Sequence, residues 1–112
     1  MGNLYRRPVR TEQALNEAVV FVKSVPKRAA HTSPAEFMFA VRARLGLSQV
    51  ELAERLDMAQ QQVQRLESGK ANAKLGTWRR VFNAMHCDLL LLPKPRRHLG
   101  EVRARRVLDG QE

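Results

Sequence analysis

The sequence predicts an all-α domain that ends in a short C-terminal β-strand, on three observations. Apolar residues recur at i, i+3 and i+4 in five successive segments. Two of those segments open with the tetrapeptides Ser33-Pro34-Ala35-Glu36 and Ser48-Gln49-Val50-Glu51, each of which reads as a capping box. The last apolar run, Leu89 to Leu92, has no helical period and is closed by Pro93-Lys94-Pro95, which favours a strand.

Taken in order, residues 1–10 carry Gly2, Pro8 and three arginines without an apolar period and predict no regular structure. Thr11 to Val25 predicts an amphipathic helix with Leu15, Ala18, Val19, Val22 and Val25 on one side. Pro26 ends it, and residues 27–32 form a polar, basic connector. In the next helix Ser33 caps free N–H groups, Pro34 sits where its missing N–H costs nothing, and Gly46 supplies the stop. Its predicted core face is Phe37, Ala40, Val41 and Leu45.

A short helix from Gln49 to Leu56 buries Leu52 and Ala53. Asp57-Met58 is the turn, since Asp tolerates a left-handed backbone better than most side chains. The next helix, about Gln60 to Ser68, places Val63 and Leu66 inward, and Gly69 closes it. The fourth, about Leu75 to Met85, buries Leu75, Trp78, Val81, Phe82 and Met85. The tail from Arg96 to Glu112 predicts either a basic helical turn or no regular structure. The domain organisation is therefore a basic N-terminal arm with an amphipathic helix (1–32), a folded domain with its strand (33–93) and a basic tail (94–112).

Composition narrows the function classes. The 112 residues carry a net charge of +9 with a pI near 11.0, which points to a polyanionic partner. Residues 1–30 hold six Lys/Arg against two acids and residues 94–112 six against three, whereas residues 31–93 hold eight against six. The basic ends are either solubilising tails or extra DNA contacts, from Arg6, Arg7 and Arg10 at one end and Arg103, Arg105 and Arg106 at the other. No apolar run approaches the roughly 20 residues of a membrane span, and the N-terminus does not read as a secretory signal. The single Cys87 excludes an internal disulfide and fits a reducing cytosol.

Catalysis finds no foothold. His31, His86 and His98 are scattered, with no nucleophile placed beside a base and no glycine-rich phosphate loop. His86-Cys87 has no second ligand pair at metal spacing, so Cys87 reads as a small buried thiol. Trp78 and Phe82 read as core, not as a stacking platform for single strands. The expectation is a protein that needs no cofactor and is not an enzyme.

The chemistry lies on the helix after the turn. Its outer face presents Gln60, Gln61, Gln62, Gln64 and Arg65 with no acid before Glu67. Glutamine can bond adenine bidentately at N6/N7 and arginine can bond guanine at O6/N7. Two capped helices joined by a tight turn, with small Ala53 at their contact, form a helix-turn-helix unit.

The run from Val41 to Lys70, VRARLGLSQVELAERLDMAQQQVQRLESGK, resembles the Xre, or lambda-repressor-like, family, and the likeness continues through Leu75 to Met85. The resemblance implies a phosphate contact and a bracing role for Gln49, and base-edge readout by Gln60, Gln61 and Arg65. For Gln62 and Gln64 it implies either backbone or edge contacts. It implies phosphate contacts from Lys70, Asn72 and Lys74, and a structural ion pair between Arg42 and Glu67. Two positions depart from the family pattern: Ala59 replaces the usual Ser or Thr cap, and His86 replaces the glycine that ends the fourth helix.

A fourth helix followed by an apolar strand is similar to HipB-like antitoxins, in which strands of two subunits pair into a ribbon. Four consecutive leucines need burial, and a lone strand leaves its hydrogen bonds unmade. Leu89, Leu90, Leu91 and Leu92 are therefore the expected interface of an isologous homodimer facing a palindromic operator in double-stranded DNA. The resemblance further implies a cognate toxin as partner, autorepression of a shared operon, and a place on the nucleoid in the bacterial cytoplasm. A stand-alone or phage-type regulator, or a module that chiefly neutralises a partner protein, are the competing expectations.

Overall fold

The computed structural model describes residues 8–110. The chain divides into two compact units, one from Lys27 to Leu90 and one combining the described residues through Pro26 with those from Leu91 on. No helix among the described residues is long and apolar enough to cross a membrane.

The unit from Lys27 to Leu90 opens with a single helical turn, which we number α2 (Lys27–Ala30) because α1 belongs to the other unit. It continues with α3 (Pro34–Leu45), α4 (Gln49–Leu56), α5 (Gln60–Glu67) and α6 (Leu75–Ala84). Both predicted capping boxes form: Glu36 N–H donates to the Ser33 hydroxyl at 3.2 Å and Ser33 N–H to the Glu36 carboxylate at 3.1 Å. The second box repeats this at Ser48 and Glu51 with 3.0 and 2.9 Å.

Three helices end in the same way. Gly46 (φ 69°), Asp57 (φ 53°) and His86 (φ 60°) all lie in the left-handed region. At each, the N–H of that residue and of the next reach back to close the last turn; after α4, for example, Asp57 N–H donates to Glu54 O at 3.2 Å and Met58 N–H to Ala53 O at 3.0 Å. His86 thus takes the left-handed position where the resemblance implied a glycine, at the steric cost of a Cβ in that region.

The core is built from Met38, Leu47, Leu52, Ala53, Leu56, Val63, Leu66, Val81, Phe82 and Met85. The faces predicted for α4 and α5 are the ones buried, and α6 buries Val81, Phe82 and Met85 with Trp78 packed against them. The Trp78 and Phe82 rings sit 6.4 Å apart in a tilted pair, as core residues. Cys87 is half-buried against the same core.

Two predictions within this unit need correction. The inner face of α3 is Ala35, Met38, Val41 and Arg42, while Phe37, Phe39, Ala40 and Leu45 are exposed. The helix is rotated because Arg42 must point inward to reach Glu67, and a one-position change of face turns a helix by about 100°. Leu75, expected in the core, is exposed at the start of α6.

The C-terminal β-strand does not form. Among the described residues there is no strand, and residues 87–95 run without a backbone ladder. A ladder requires a paired neighbouring strand, and none is present among the described residues. An intersubunit ribbon therefore has no element here to support it.

In the second unit α1 (Pro8–Ser24) begins three residues before the predicted start. Val22 is its buried residue, and Leu15, Ala18, Val19 and Val25 are half-buried, which is the apolar side the spacing predicted. The tail folds as α7 (Leu99–Leu108), and none of its side chains is buried. Arg6 and Arg7, candidates for an N-terminal DNA arm, lie outside the described residues.

Candidate nucleic-acid interface

The surface of interest is the outer side of α5. At about 100° per residue, Gln60, Gln61, Gln64 and Arg65 fall on one side of the helix and Val63 and Leu66 on the other. The structure follows that geometry: Val63 and Leu66 are in the core, and all four polar residues are exposed. The Arg65 side chain has no partner among the described residues, whereas its carbonyl accepts the Ser68 hydroxyl at 2.7 Å. Its guanidinium is free for an external acceptor.

Gln62 behaves differently. It lies at the edge of that face, and its side-chain carbonyl accepts the N–H of Ala59 at 3.1 Å. Ala59 has no side-chain oxygen with which to cap the helix, so only the reciprocal half of a capping box remains, and Gln62 supplies it. Of the four glutamines on α5, Gln62 is therefore the one engaged in holding the helix start.

Acidic charge is kept off this surface. Between Asp57 and Asp88 the sequence has one acid, Glu67, and it is turned inward. Arg42 grips it with both arms: Nε donates to Oε2, and a terminal nitrogen donates to Oε1 at 3.0 Å. The other terminal nitrogen of Arg42 donates to Leu47 O at 2.8 Å. Hydrogen bonding to Glu67 raises the guanidinium pKa further above its ordinary value, against a smaller opposing effect of burial. Gln49, at the start of α4, adds a bond from Nε2 to Glu67 Oε1 at 3.3 Å. Arg42, Gln49 and Glu67 thus tie the end of α5 to α3 and α4.

The loop after α5 alternates. Ala71 and Ala73 pack against the core, which leaves Lys70, Asn72 and Lys74 exposed on the outside. Lys70 N–H is held by the Ser68 hydroxyl at 3.3 Å. Two amino groups and one amide therefore follow the free face of α5 along the chain.

The sequence reading missed two arginines. Arg80 on α6 donates to Leu56 O at 2.9 Å, and Arg55 on α4 donates to Ala84 O at 3.2 Å. Each caps the C-terminal carbonyls of the other's helix, where a cation is favoured. The one available signal was a basic residue in the last turn of α4, which does not reveal a partner 29 residues away.

Residues 39–92 match the model of a family described as helix-turn-helix. This segment is similar to helix-turn-helix domains. The match spans just under half of the 112 residues and takes in α4 and α5 with their turn, most of α3 and all of α6. No curated protein and no solved structure matches the chain. Within the matched segment α5 is the helix that follows the turn, and Gln60, Gln61, Gln64 and Arg65 on its outer face are exposed. Gln49, Gln60, Gln61, Gln64, Arg65, Lys70, Asn72 and Lys74 all border or form that surface in sequence, with Gln49 half-buried and the rest exposed.

Proposed function

We propose that this chain is a sequence-specific transcriptional repressor that binds an inverted-repeat operator as a homodimer, and that it is the antitoxin and autorepressor of a toxin–antitoxin operon. The observation that carries the DNA-binding part is the unobstructed face of α5, where Gln60, Gln61, Gln64 and Arg65 are exposed and the neighbouring acid is sequestered by Arg42. Gln60 and Gln61 suit adenine and Arg65 suits guanine in the major groove. Lys70 and Lys74, with Asn72 and Gln49, suit the flanking phosphates. The protein acts by occupancy, without catalysis or cofactor, and competes with RNA polymerase for the promoter in the bacterial cytoplasm, on the nucleoid.

The homodimer rests on Leu90 and Leu91, which are 75% and 68% exposed in the single chain. Leu92 beside them is 39% exposed, and Leu89 is anchored against the core. A second copy covering this segment would remove a contiguous apolar patch from water and set two recognition helices about one turn of DNA apart. The strand that carried the likeness to HipB-like antitoxins does not form among the described residues, so the antitoxin role rests on α1 and α7, elements outside the matched segment that operator binding does not require.

A second reading, a partner-neutralising module with DNA binding secondary, is favoured by one observation. Helices α1 and α7 leave Val20, Phe21, Leu99 and Val102 substantially exposed. A nuclease footprint on the DNA upstream of this chain's own gene tests the leading reading. Two protected segments about one helical turn apart, with affinity falling steeply as salt is added, are the expected result. Binding no tighter than to random duplex would leave the second reading in its place.

A further inference from the structure

Between α1 and α7, within one compact unit, lies an open groove of about 530 Å³. Its α1 wall runs from Glu12 to Lys23, a stripe about 16 Å long at 1.5 Å per residue. The apolar part of the lining comes from Leu15, Val19 and Leu99, and the cationic part from Lys23, Arg96, Arg97 and Arg103. None of those four cations has an ion-pair or hydrogen-bond partner among the described residues. Glu12 is the one acid in the lining.

We infer that this groove docks an acidic, amphipathic helical segment of a partner protein. The inference does not depend on operator binding. It deepens the partner-binding reading by assigning a surface and a chemistry. An isolated helix of ten residues is marginal in water, yet α7 buries none of its side chains, so its apolar side calls for a cover. An elongated groove three helical turns long fits a helix better than a compact metabolite. DNA would satisfy the arginines but offers no apolar face for Leu15, Val19 and Leu99. A second copy of this chain would bring its own basic ends against a basic groove, cation facing cation. A segment with leucines along one side and glutamates flanking them satisfies both parts of the lining.

The test uses the full chain and a labelled 15-residue peptide with Leu at i, i+3, i+4 spacing and Glu elsewhere. Saturable binding is expected, with loss when the leucines become Ser or the glutamates become Lys. Leu15→Ser/Leu99→Ser, which leaves the net charge unchanged, should weaken peptide binding by about tenfold or more while leaving affinity for a random duplex within about twofold. Far-UV dichroism establishes that α1 and α7 persist in the variant. Several outcomes overturn the inference: no saturable peptide binding, equal binding of the leucine-free peptide, a loss of duplex affinity as large as the loss for peptide, or conversion of a dimer to monomer by the same substitutions. An operator footprint that fails leaves this result unaffected, because the probe contains no DNA.

Discussion

Arg42 on α3 and Glu67 at the end of α5, 25 residues apart, form a forked ion pair whose side chains are only 14% and 7% exposed. The pair fixes the far end of α5 and turns its one acid inward. A buried charge that loses its partner is costly, whereas removing both partners together is far less so. Arg42→Met alone should destabilise the protein by about 3 kcal/mol, and Arg42→Met/Glu67→Leu should recover much of that loss. Chemical denaturation of the four proteins of the cycle measures the coupling. Strictly additive losses would mean that the two side chains do not depend on each other.

The near end of α5 is weakly held, which yields a second prediction. Ala59 cannot cap, and Gln62 bonds the Ala59 N–H instead. Ala59→Ser should stabilise the domain by about 1 kcal/mol. Gln62→Ala should lower stability by roughly 0.5–1 kcal/mol and leave base preference unchanged. Operator selection with randomised half-sites checks the latter. A shift in preferred bases on Gln62→Ala would place that side chain in the groove.

Acid should act through the two capping boxes. The Ser33 backbone N–H, and next its hydroxyl, hold the Glu36 carboxyl below its ordinary value of 4.5. Ser48 does the same for Glu51, with a smaller contribution from Arg55. A carboxylate whose pKa is lower in the folded state contributes stability that is fully present above its unfolded value and is lost as pH falls through the folded one. Glu36→Gln/Glu51→Gln keeps a cap acceptor and abolishes the titration. The variant's denaturation midpoint should therefore fall less than the parent's between about pH 5 and pH 3. Parallel profiles would locate acid sensitivity elsewhere.

What could be read in the sequence follows from the range of each interaction. The capping boxes at Ser33 and Ser48 and the left-handed turn at Asp57 involve neighbours within a few residues, and they were legible. So was the free face of α5, because Val63 and Leu66 leave only one side for the glutamines. The inner face of α3 was not legible, since it is set by Arg42 reaching Glu67, and periodicity gives no weight to a buried arginine. The run Leu89 to Leu92 suggests a strand only if a partner buries it, and the described residues contain none. The sequence of α7 does not decide between a helical turn and no regular structure, because its apolar residues are too few to declare a face.

The same leucines supply a fourth prediction. Leu90→Lys replaces a side chain that is 75% exposed in the single chain, so it should leave the monomer fold intact. Burying one leucine is worth roughly 1.5–3 kcal/mol, and a two-fold axis counts it twice. The dissociation constant of the proposed dimer should therefore rise at least about a hundredfold. Sedimentation over a range of concentrations measures it. An unchanged dimer would move the interface away from this segment.

Arg65 tests the readout itself. Its guanidinium is exposed and has no partner within the described chain, so Arg65→Ala should not destabilise the fold. On the cognate operator it should cost roughly 1–3 kcal/mol and relax the preference at one base pair in each half-site. Lys74→Ala offers the contrast: a side chain that meets phosphate should weaken cognate and random DNA alike and flatten the salt dependence by about one charge. Titrations of both variants against cognate and scrambled duplexes at two salt concentrations separate the cases. If Arg65→Ala loses affinity equally on both duplexes, the arginine meets phosphate, and discrimination must come from the glutamines on the same face.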